Sequence, residues 1–227
     1  MIQKDYFMKI AEMLATVIAK VLLKKDQKKF IEAEQELEEA SLSIAGIDLK
    51  LVKLFSAEDL IKLIKTSDLF AGKCIASAEL LYEYGKLKEL TGNSQESIDS
   101  YLKSVQLFIE AVLSKDLPDN STYILKIEEL IPKINASEVT NKMNLRLLDY
   151  YALTKQFSKY EDTAFDLLEN FDNSDIESDV SETYTKIIRY FQKLKSLPEE
   201  ELLNGNLSKA EVEEALEEIL LLQNKNN

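Results

Sequence analysis

The chain has 227 residues, of which 45% are hydrophobic and 30% are charged, a balance typical of folded rather than disordered proteins. Its net charge of −13 argues against nucleic-acid binding, which needs a basic surface to neutralise phosphates. Only 5 glycines and 3 prolines interrupt a sequence rich in Leu, Glu, Lys and Ala, so the composition predicts an all-α protein.

The cysteine content and the hydrophobic pattern bear on the compartment. Cys74 is the single cysteine, which excludes an internal disulfide and fits a reducing cytoplasm. No signal peptide is visible, and no uncharged run approaches the roughly 18 residues that span a bilayer. We therefore expect a soluble, cytoplasmic protein without a membrane partner.

The first predicted helix covers residues 5–24 and is unusually apolar. Its polar residues, among them Lys9, Glu12 and Lys20, form one narrow stripe, so we expect burial over most of the helix circumference. The only basic cluster, residues 24–29, lies at the end of this helix and in the following turn, where cations complement the helix dipole.

The remaining elements also read as helices joined by short connections, which favour antiparallel packing of neighbours. Ser56 with Asp59, and Ser208 with Glu211, have the spacing of capping boxes, and Gly46 is a natural helix stop. The predicted ranges are 29–45, one or two short helices within 48–66, 68–91, 94–115, 120–134, 137–155, 158–171, 176–196 and 208–223.

Internal repetition is the most informative pattern. Residues 78–111 place small residues where two helices would approach closely and large ones where they would interlock, as in a tetratricopeptide repeat. Gly85 in mid-helix costs about 1 kcal/mol relative to alanine, which indicates a close helix contact. Two weaker copies cover residues 14–47 and 144–177. The equivalent turns of the three copies fall near Lys28, Gly92 and Ser158.

We therefore predict antiparallel helix pairs stacked as a right-handed superhelix of the tetratricopeptide-repeat kind, an α-α superhelix. Residues 1–227 would form a single helical domain, and the polar segment 172–175 is the alternative place for a subdivision. An irregular helical bundle is the simpler alternative.

The segment Asp5-Tyr6-Phe7-Met8-Lys9-Ile10, followed by the apolar helix and the Lys-rich turn, carries a resemblance. Residues 4–45 resemble the start of a bacterial family of uncharacterised tetratricopeptide-like proteins. The resemblance implies a bacterial, cytoplasmic, helical-repeat protein, and it implies no catalytic residues.

The residue types argue against catalysis. The chain has no histidine, which removes the commonest general base and the commonest metal ligand. No glycine-rich phosphate loop and no Cys/His pair for zinc is present, and Cys74 lies in a small-residue stretch that suits a core thiol. We expect no enzyme activity, no cofactor and no metal.

Two functions remain open. The first is a scaffold that binds a protein or peptide on its concave surface, which the first helix of each pair would line. The second is a homodimer formed through the apolar first helix, with burial of that helix by the C-terminal helices as the competing explanation. The predicted partner-binding residues are Tyr82, Lys86, Glu89, Leu148, Ala152 and Lys155.

Overall fold

The computed structural model describes residues 2–52, 54–66, 69–114, 116–117, 120–134, 139–171 and 177–225. Within these ranges the chain is helical and contains no strand, which confirms the predicted all-α class. The helices are α1 (Ile2–Asp26), α2 (Phe30–Ala40), α3 (Leu49–Val52), α4 (Ala57–Lys65), α5 (Phe70–Leu90), α6 (Ser94–Leu113), α7 (Ser121–Leu130), α8 (Asn141–Thr154), α9 (Phe157–Glu169), α10 (Glu177–Lys195), α11 (Glu199–Asn204) and α12 (Lys209–Lys225).

The chain divides into two compact units, Met1–Val139 and Thr140–Asn227, here called unit 1 and unit 2. In unit 1, α1 packs on α2, and both contact α5, which pairs along its length with α6. In unit 2, α8 pairs with α9, and α10 packs on α12. The predicted alternative subdivision at 172–175 lies outside the described residues, and the single-domain prediction stays a prediction.

Three helix pairs share one turn geometry, which also occurs after α11, where Asn206 has φ 59° and the Leu207 amide donates to the Leu202 carbonyl oxygen. A residue with a left-handed backbone follows the first helix of each pair: Lys28 (φ 58°), Gly92 (φ 78°) and Lys155 (φ 57°). In each case the next amide N–H reaches back five residues to a helical carbonyl, from Lys29 to Lys24, Asn93 to Lys88 and Gln156 to Tyr151. This bond satisfies a carbonyl that a helix end would leave unpaired.

The spacing of these turns confirms two of the three predicted positions. Lys28 and Gly92 stand where the sequence placed them, 64 residues apart, but the third turn is at Lys155, 63 residues after Gly92 and not near Ser158. With this register, the residues 5, 9 and 12 positions beyond each turn are all buried. They are Ala33, Leu37 and Ala40, then Ser97, Tyr101 and Ser104, then Tyr160, Ala164 and Leu167.

Gly85 confirms the predicted close helix contact. A Cβ atom on Gly85 would lie 2.6 Å from Cε1 of the Tyr101 ring and 3.3 Å from the Ser97 carbonyl oxygen. Tyr101 on α6 is 2% exposed, so its ring cannot move aside into solvent. The glycine therefore lets α5 and α6 approach at the point where an aromatic side chain is buried between them.

The helix ends follow the expected local chemistry. Ser56 accepts a hydrogen bond from the Asp59 amide at 3.1 Å and caps α4. At α12, the Glu211 amide donates to the Ser208 hydroxyl at 3.3 Å, and the Ser208 amide donates to the Glu211 carboxylate at 2.7 Å. The reciprocal bonds confirm the capping box at Ser208 and Glu211, whereas at α4 Ser56 is the N-cap and its hydroxyl donates to the Asp59 carboxylate. Gly46, with φ +72°, ends the π-helical turn Ser41–Ala45 that continues α2.

The expected burial of α1 over most of its circumference is wrong. Among its described side chains, the buried residues Ile10, Leu14 and Val21 form one face, and α2 and α5 pack on this helix. Met8 and Leu22 on the opposite side are 55% and 45% exposed. The sequence pattern indicates how apolar the helix is, but it does not indicate how many other helices pack against it.

Unit 2 contains a second close approach, which the sequence did not indicate. Gly205 ends α11, and a Cβ atom there would lie 2.7 Å from the Lys155 carbonyl oxygen and closer still to the Phe157 ring. The Gly205 carbonyl oxygen also accepts a hydrogen bond from the Ser158 amide at 3.1 Å. The turn between α8 and α9 is therefore fastened directly to the end of α11.

Glu161 on α9 predicts a pH dependence of unit 2. Burial, with the carboxylates of Glu211, Asp162 and Glu218, raises the pKa of Glu161 to about 7. Because the folded-state pKa exceeds the unfolded value, the stability associated with the protonated form is full below about pH 4.5 and is lost as pH rises to 7. Glu161→Gln should therefore raise the unfolding free energy at pH 8 by about 1 kcal/mol, allowing for solvent screening, and leave it unchanged at pH 4.

Denaturant unfolding of Glu161→Gln and wild type at pH 4, 6 and 8 measures this difference. Glu214→Gln, on the exposed side of α12, is the control for loss of one negative charge. An increase in unfolding free energy that is equal at all three pH values, or equal in both variants, would contradict the assignment of this pH dependence to Glu161.

Candidate functional site

The predicted residues of unit 1 lie on α5, and their polar groups are already engaged. The Tyr82 hydroxyl donates to the Glu129 carboxylate at 2.5 Å, and burial together with this contact raises the pKa of Tyr82. The Lys86 ammonium donates to Glu83 at 3.1 Å and lies 4.0 Å from the centroid of the Tyr82 ring. Glu89 accepts a hydrogen bond from the Tyr101 hydroxyl at 2.6 Å.

Ion pairs from other helices complete this network around α5. Lys126 on α7 pairs with the buried Glu79 carboxylate, and Lys25 on α1 lies 3.3 Å from Glu83. Lys133, in the turn after α7, lies 3.9 Å from Glu89. The face of α5 that was predicted to meet a ligand is thus neutralised by charged groups of unit 1 itself.

Unit 2 contains a cleft of about 500 Å³ between α8 and α10, with α9 beneath it. Residues of both walls and of the floor contribute polar and aromatic groups. The lining residues are Asp149, Ala152, Tyr160, Glu182, Thr185, Lys186, Arg189, Tyr190 and Lys193. A volume of this size is in the range of sites that hold small molecules or peptide side chains.

Polar contacts hold the two walls together. The Lys186 ammonium on α10 lies 2.8 Å from the Asp149 carboxylate on α8 and 3.4 Å from the Leu145 carbonyl oxygen. Arg146 donates to the other Asp149 oxygen at 3.2 Å. Asp149 is therefore neutralised by two cations, and its charge is balanced before any ligand arrives.

Two tyrosines form the floor. The rings of Tyr160 on α9 and Tyr190 on α10 have centroids 4.1 Å apart, and the Tyr190 hydroxyl lies 3.4 Å from the Ala152 carbonyl oxygen as its donor. Burial raises the pKa of Tyr190 to about 12 and raises the pKa of Tyr160 as well. Both hydroxyls thus stay protonated at neutral pH and can donate hydrogen bonds, but they cannot act as bases.

The rim of the cleft carries charged side chains that have no ion-pair partner among the described residues. Within the described ranges, no carboxylate lies within 4.0 Å of the charged nitrogens of Arg189 or Lys193, and both side chains are exposed. Glu182, two to three turns along the same helix, likewise has no cation within 4.0 Å among those residues. These cations leave one end of the cleft open to an anionic group, although the chain as a whole has a net charge of −13.

The predicted residues of unit 2 have different fates. Ala152 lines the cleft, whereas Leu148 is fully buried in the core. Lys155 occupies the left-handed position after α8, and its ammonium lies 2.8 Å from Glu201. The assignment of the six residues to a partner surface stays a prediction, and the structure places three in unit 1 and three in unit 2.

Sequence reasoning missed the α10 wall. Lys186, Arg189 and Lys193 have the i, i+3, i+7 spacing that puts side chains on one helix face. Arg189 is moreover one of only two arginines in the chain, and the other, Arg146, pairs with Asp149 beside the cleft. Both signals are present in the sequence, but the three cations are not adjacent and so do not form a contiguous basic run such as residues 24–29.

The residues that line the cleft can bind a ligand through charge, hydrogen bonds and aromatic surface. The part of the chain that the structure describes contains no group of three His, Cys, Asp or Glu side chains arranged to hold a metal ion. Cys74, the one thiol, is fully buried, and burial raises its pKa, so it is a core residue. Among the described helices, none combines the length and the apolar character required to cross a membrane.

These features define an all-helical protein with a charged, tyrosine-floored cleft. The chain belongs to a family of unknown function, DUF6483, whose family model matches residues 1–224. Comparison with curated proteins and with solved structures found no match.

Proposed function

We propose that this protein is a non-catalytic scaffold of tetratricopeptide-like helix pairs, and that it binds a protein or peptide in the cleft between α8 and α10. The observation that carries the proposal is the cleft itself, a space of about 500 Å³ with aromatic, cationic and anionic groups along one helix. A peptide needs this combination of hydrogen-bond donors, charge and apolar surface to be held in one orientation.

The turn geometry supports the repeat-like part of the proposal. The left-handed turns at Lys28, Gly92 and Lys155 recur at 64 and 63 residues, close to twice the roughly 34-residue period of tetratricopeptide repeats. In such repeats the first helices of successive pairs line the ligand groove, and α8 is the first helix of its pair. This is an analogy at the level of fold, so the specific contacts rest on the cleft and not on the repeat.

The non-catalytic part rests on the residues available. The sequence contains no histidine, and the cleft tyrosines keep their protons at neutral pH. Asp149 is held by Lys186 and Arg146, so it is occupied in holding the walls together. The single buried thiol is compatible with a cytoplasmic location.

Selection from a displayed library of random dodecapeptides tests the proposal with the full chain as bait. Ala152→Trp and Thr185→Trp each add bulk to the cleft, and Thr185 is exposed, so that variant should fold normally. We expect wild type to enrich peptides that bind neither variant. Failure to enrich any peptide, or equal binding to wild type and both variants when circular dichroism shows folded protein, would overturn the proposal.

One observation favours self-association as a second function. Met8, Ala11, Ala15 and Leu22 on α1 are exposed and follow the 3-4 spacing of a coiled-coil seam. A second copy of α1 would cover these residues. Light scattering over a range of concentrations checks this, with Ala15→Glu as the variant expected to dissociate the dimer; a monomer at high concentration would exclude it.

A further inference from the structure

The charged residues of α10 differ in whether they have a partner. Lys186, in the middle of the cleft, pairs with Asp149 at 2.8 Å. Glu182 toward one end, and Arg189 and Lys193 toward the other, have no ion-pair partner within 4.0 Å among the described residues. The cleft therefore has one anionic end and one cationic end, separated by a neutralised centre.

The distance between these ends fixes the length of a matching ligand. Seven positions separate Glu182 from Arg189 and eleven separate it from Lys193, which corresponds to about 10 Å and about 16 Å along an α-helix at about 1.5 Å per residue. An extended peptide rises about 3.3 Å per residue, so about three to five of its residues cover the same distance. Tyr190 lies at the cationic end, next to Arg189 in the sequence, and gives such a segment an aromatic surface.

We infer that the cleft recognises an extended peptide segment of defined charge polarity, with an Asp or Glu side chain at Arg189 and Lys193 and a Lys or Arg side chain about three to five residues away at Glu182. This inference rests on the proposed function and specifies its ligand. The guanidinium of Arg189 can bind a carboxylate through two parallel hydrogen bonds, and Lys193 adds a second positive charge.

The net charge of the whole chain affects where an acidic side chain of a peptide can bind. A net charge of −13 disfavours the approach of acidic peptides to much of the surface, whereas the two rim cations attract a carboxylate to this end of the cleft. Because Arg189 and Lys193 are exposed, salt screens their attraction for a ligand. Binding of the correct peptide should therefore weaken as ionic strength rises.

The peptide selection described above tests the inference through the sequences that it returns. The library is fused at its C-terminal end, so that only side chains supply carboxylates. Wild type should enrich peptides with an Asp or Glu about three to five positions from a Lys or Arg. Arg189→Glu/Lys193→Glu should bind these peptides at least about tenfold more weakly, a loss of about 1.4 kcal/mol or more. Glu182→Gln should still enrich peptides that contain Asp or Glu, but these peptides should no longer have a Lys or Arg at a fixed distance from the acidic residue.

Lys62→Glu/Lys65→Glu is the matched control, because it makes the same change in net charge on exposed lysines of α4. This variant should bind the selected peptides as wild type does. The inference would be overturned if the selected peptides showed no enrichment in Asp or Glu and bound Arg189→Glu/Lys193→Glu as well as wild type. If Thr185→Trp still blocked their binding, the proposed function would remain supported. No selected peptide at all would overturn both.

Discussion

Replacing Gly205 with alanine is expected to lower the unfolding free energy of unit 2 by about 3 kcal/mol, the upper end of the usual cost of overpacking. The new Cβ would lie 2.7 Å from the Lys155 carbonyl oxygen, which belongs to the backbone and cannot rotate away. Relief requires the α8–α9 turn to separate from the end of α11, which also stretches the bond from the Ser158 amide to the Gly205 carbonyl.

Gly92→Ala distinguishes this steric cause from a backbone preference. Gly92 has φ +78°, a left-handed conformation that costs alanine about 1–2 kcal/mol, but no atom lies within 4 Å of its added Cβ. Gly205 has φ −95°, which any residue adopts without strain. If backbone conformation decided the outcome, Gly92→Ala would be the more damaging change, and we expect the reverse.

Hydrogen exchange read by mass spectrometry measures both variants, because it reports on each unit separately where a single melting curve does not. Amides of α8 and α9 should lose protection in Gly205→Ala, and amides of α5 and α6 should lose less in Gly92→Ala. Unchanged protection of α8 and α9 in Gly205→Ala would show that the turn accommodates the methyl group.

The comparison of Gly85 with Gly205 shows what a sequence can reveal about packing. Gly85 lies inside a long helical pattern, where its intrinsic cost demands a reason, and the close Tyr101 ring supplies that reason. Gly205 lies in the connection between two helices, where glycine is common. The sequence pattern therefore gives no indication of its close contacts. The six-residue α11 beside it was missed as well, because so short a helix has little periodicity.

The position of the third turn shows a related limit. The sequence predicts the turns at Lys28 and Gly92 but places the third near Ser158, three residues after the left-handed residue Lys155. A three-residue shift changes which α9 residues occupy the equivalent positions, and with the turn at Lys155 these are the buried residues Tyr160, Ala164 and Leu167. Local propensity identified the helices well and the register between them less well.

The candidate site was predicted in part for the same reason. The α8 wall of the cleft includes the expected Ala152, yet the α10 wall depends on which residues face α8 across space. On α5, the expected ligand groups Tyr82 and Glu89 bond to Glu129 and Tyr101, partners 47 and 12 residues away. Sequence alone does not tell whether a charged face meets a ligand or another helix of the same chain.

The Lys126→Met variant tests how much unit 1 depends on its internal charge network. Glu79 has a side chain only 8% exposed, and the Lys126 ammonium on α7 is its ion-pair partner among the described residues. Removing the cation leaves a buried carboxylate uncompensated, which typically costs 3–5 kcal/mol. Lys126 is 27% exposed, so water can partly replace it, and we expect a loss of about 3 kcal/mol, at the low end of that range.

A double-mutant cycle separates the missing charge from the missing packing. Glu79→Gln/Lys126→Met removes both charges and should recover about 2 kcal/mol relative to Lys126→Met alone. Lys62→Met, which breaks the exposed pair with Asp59, should change the unfolding free energy by less than about 1 kcal/mol. Denaturant unfolding and hydrogen exchange of α5 measure all of these variants. Equal losses in the single and double variants would mean that the aliphatic stem of Lys126, and not its charge, holds α7 against α5.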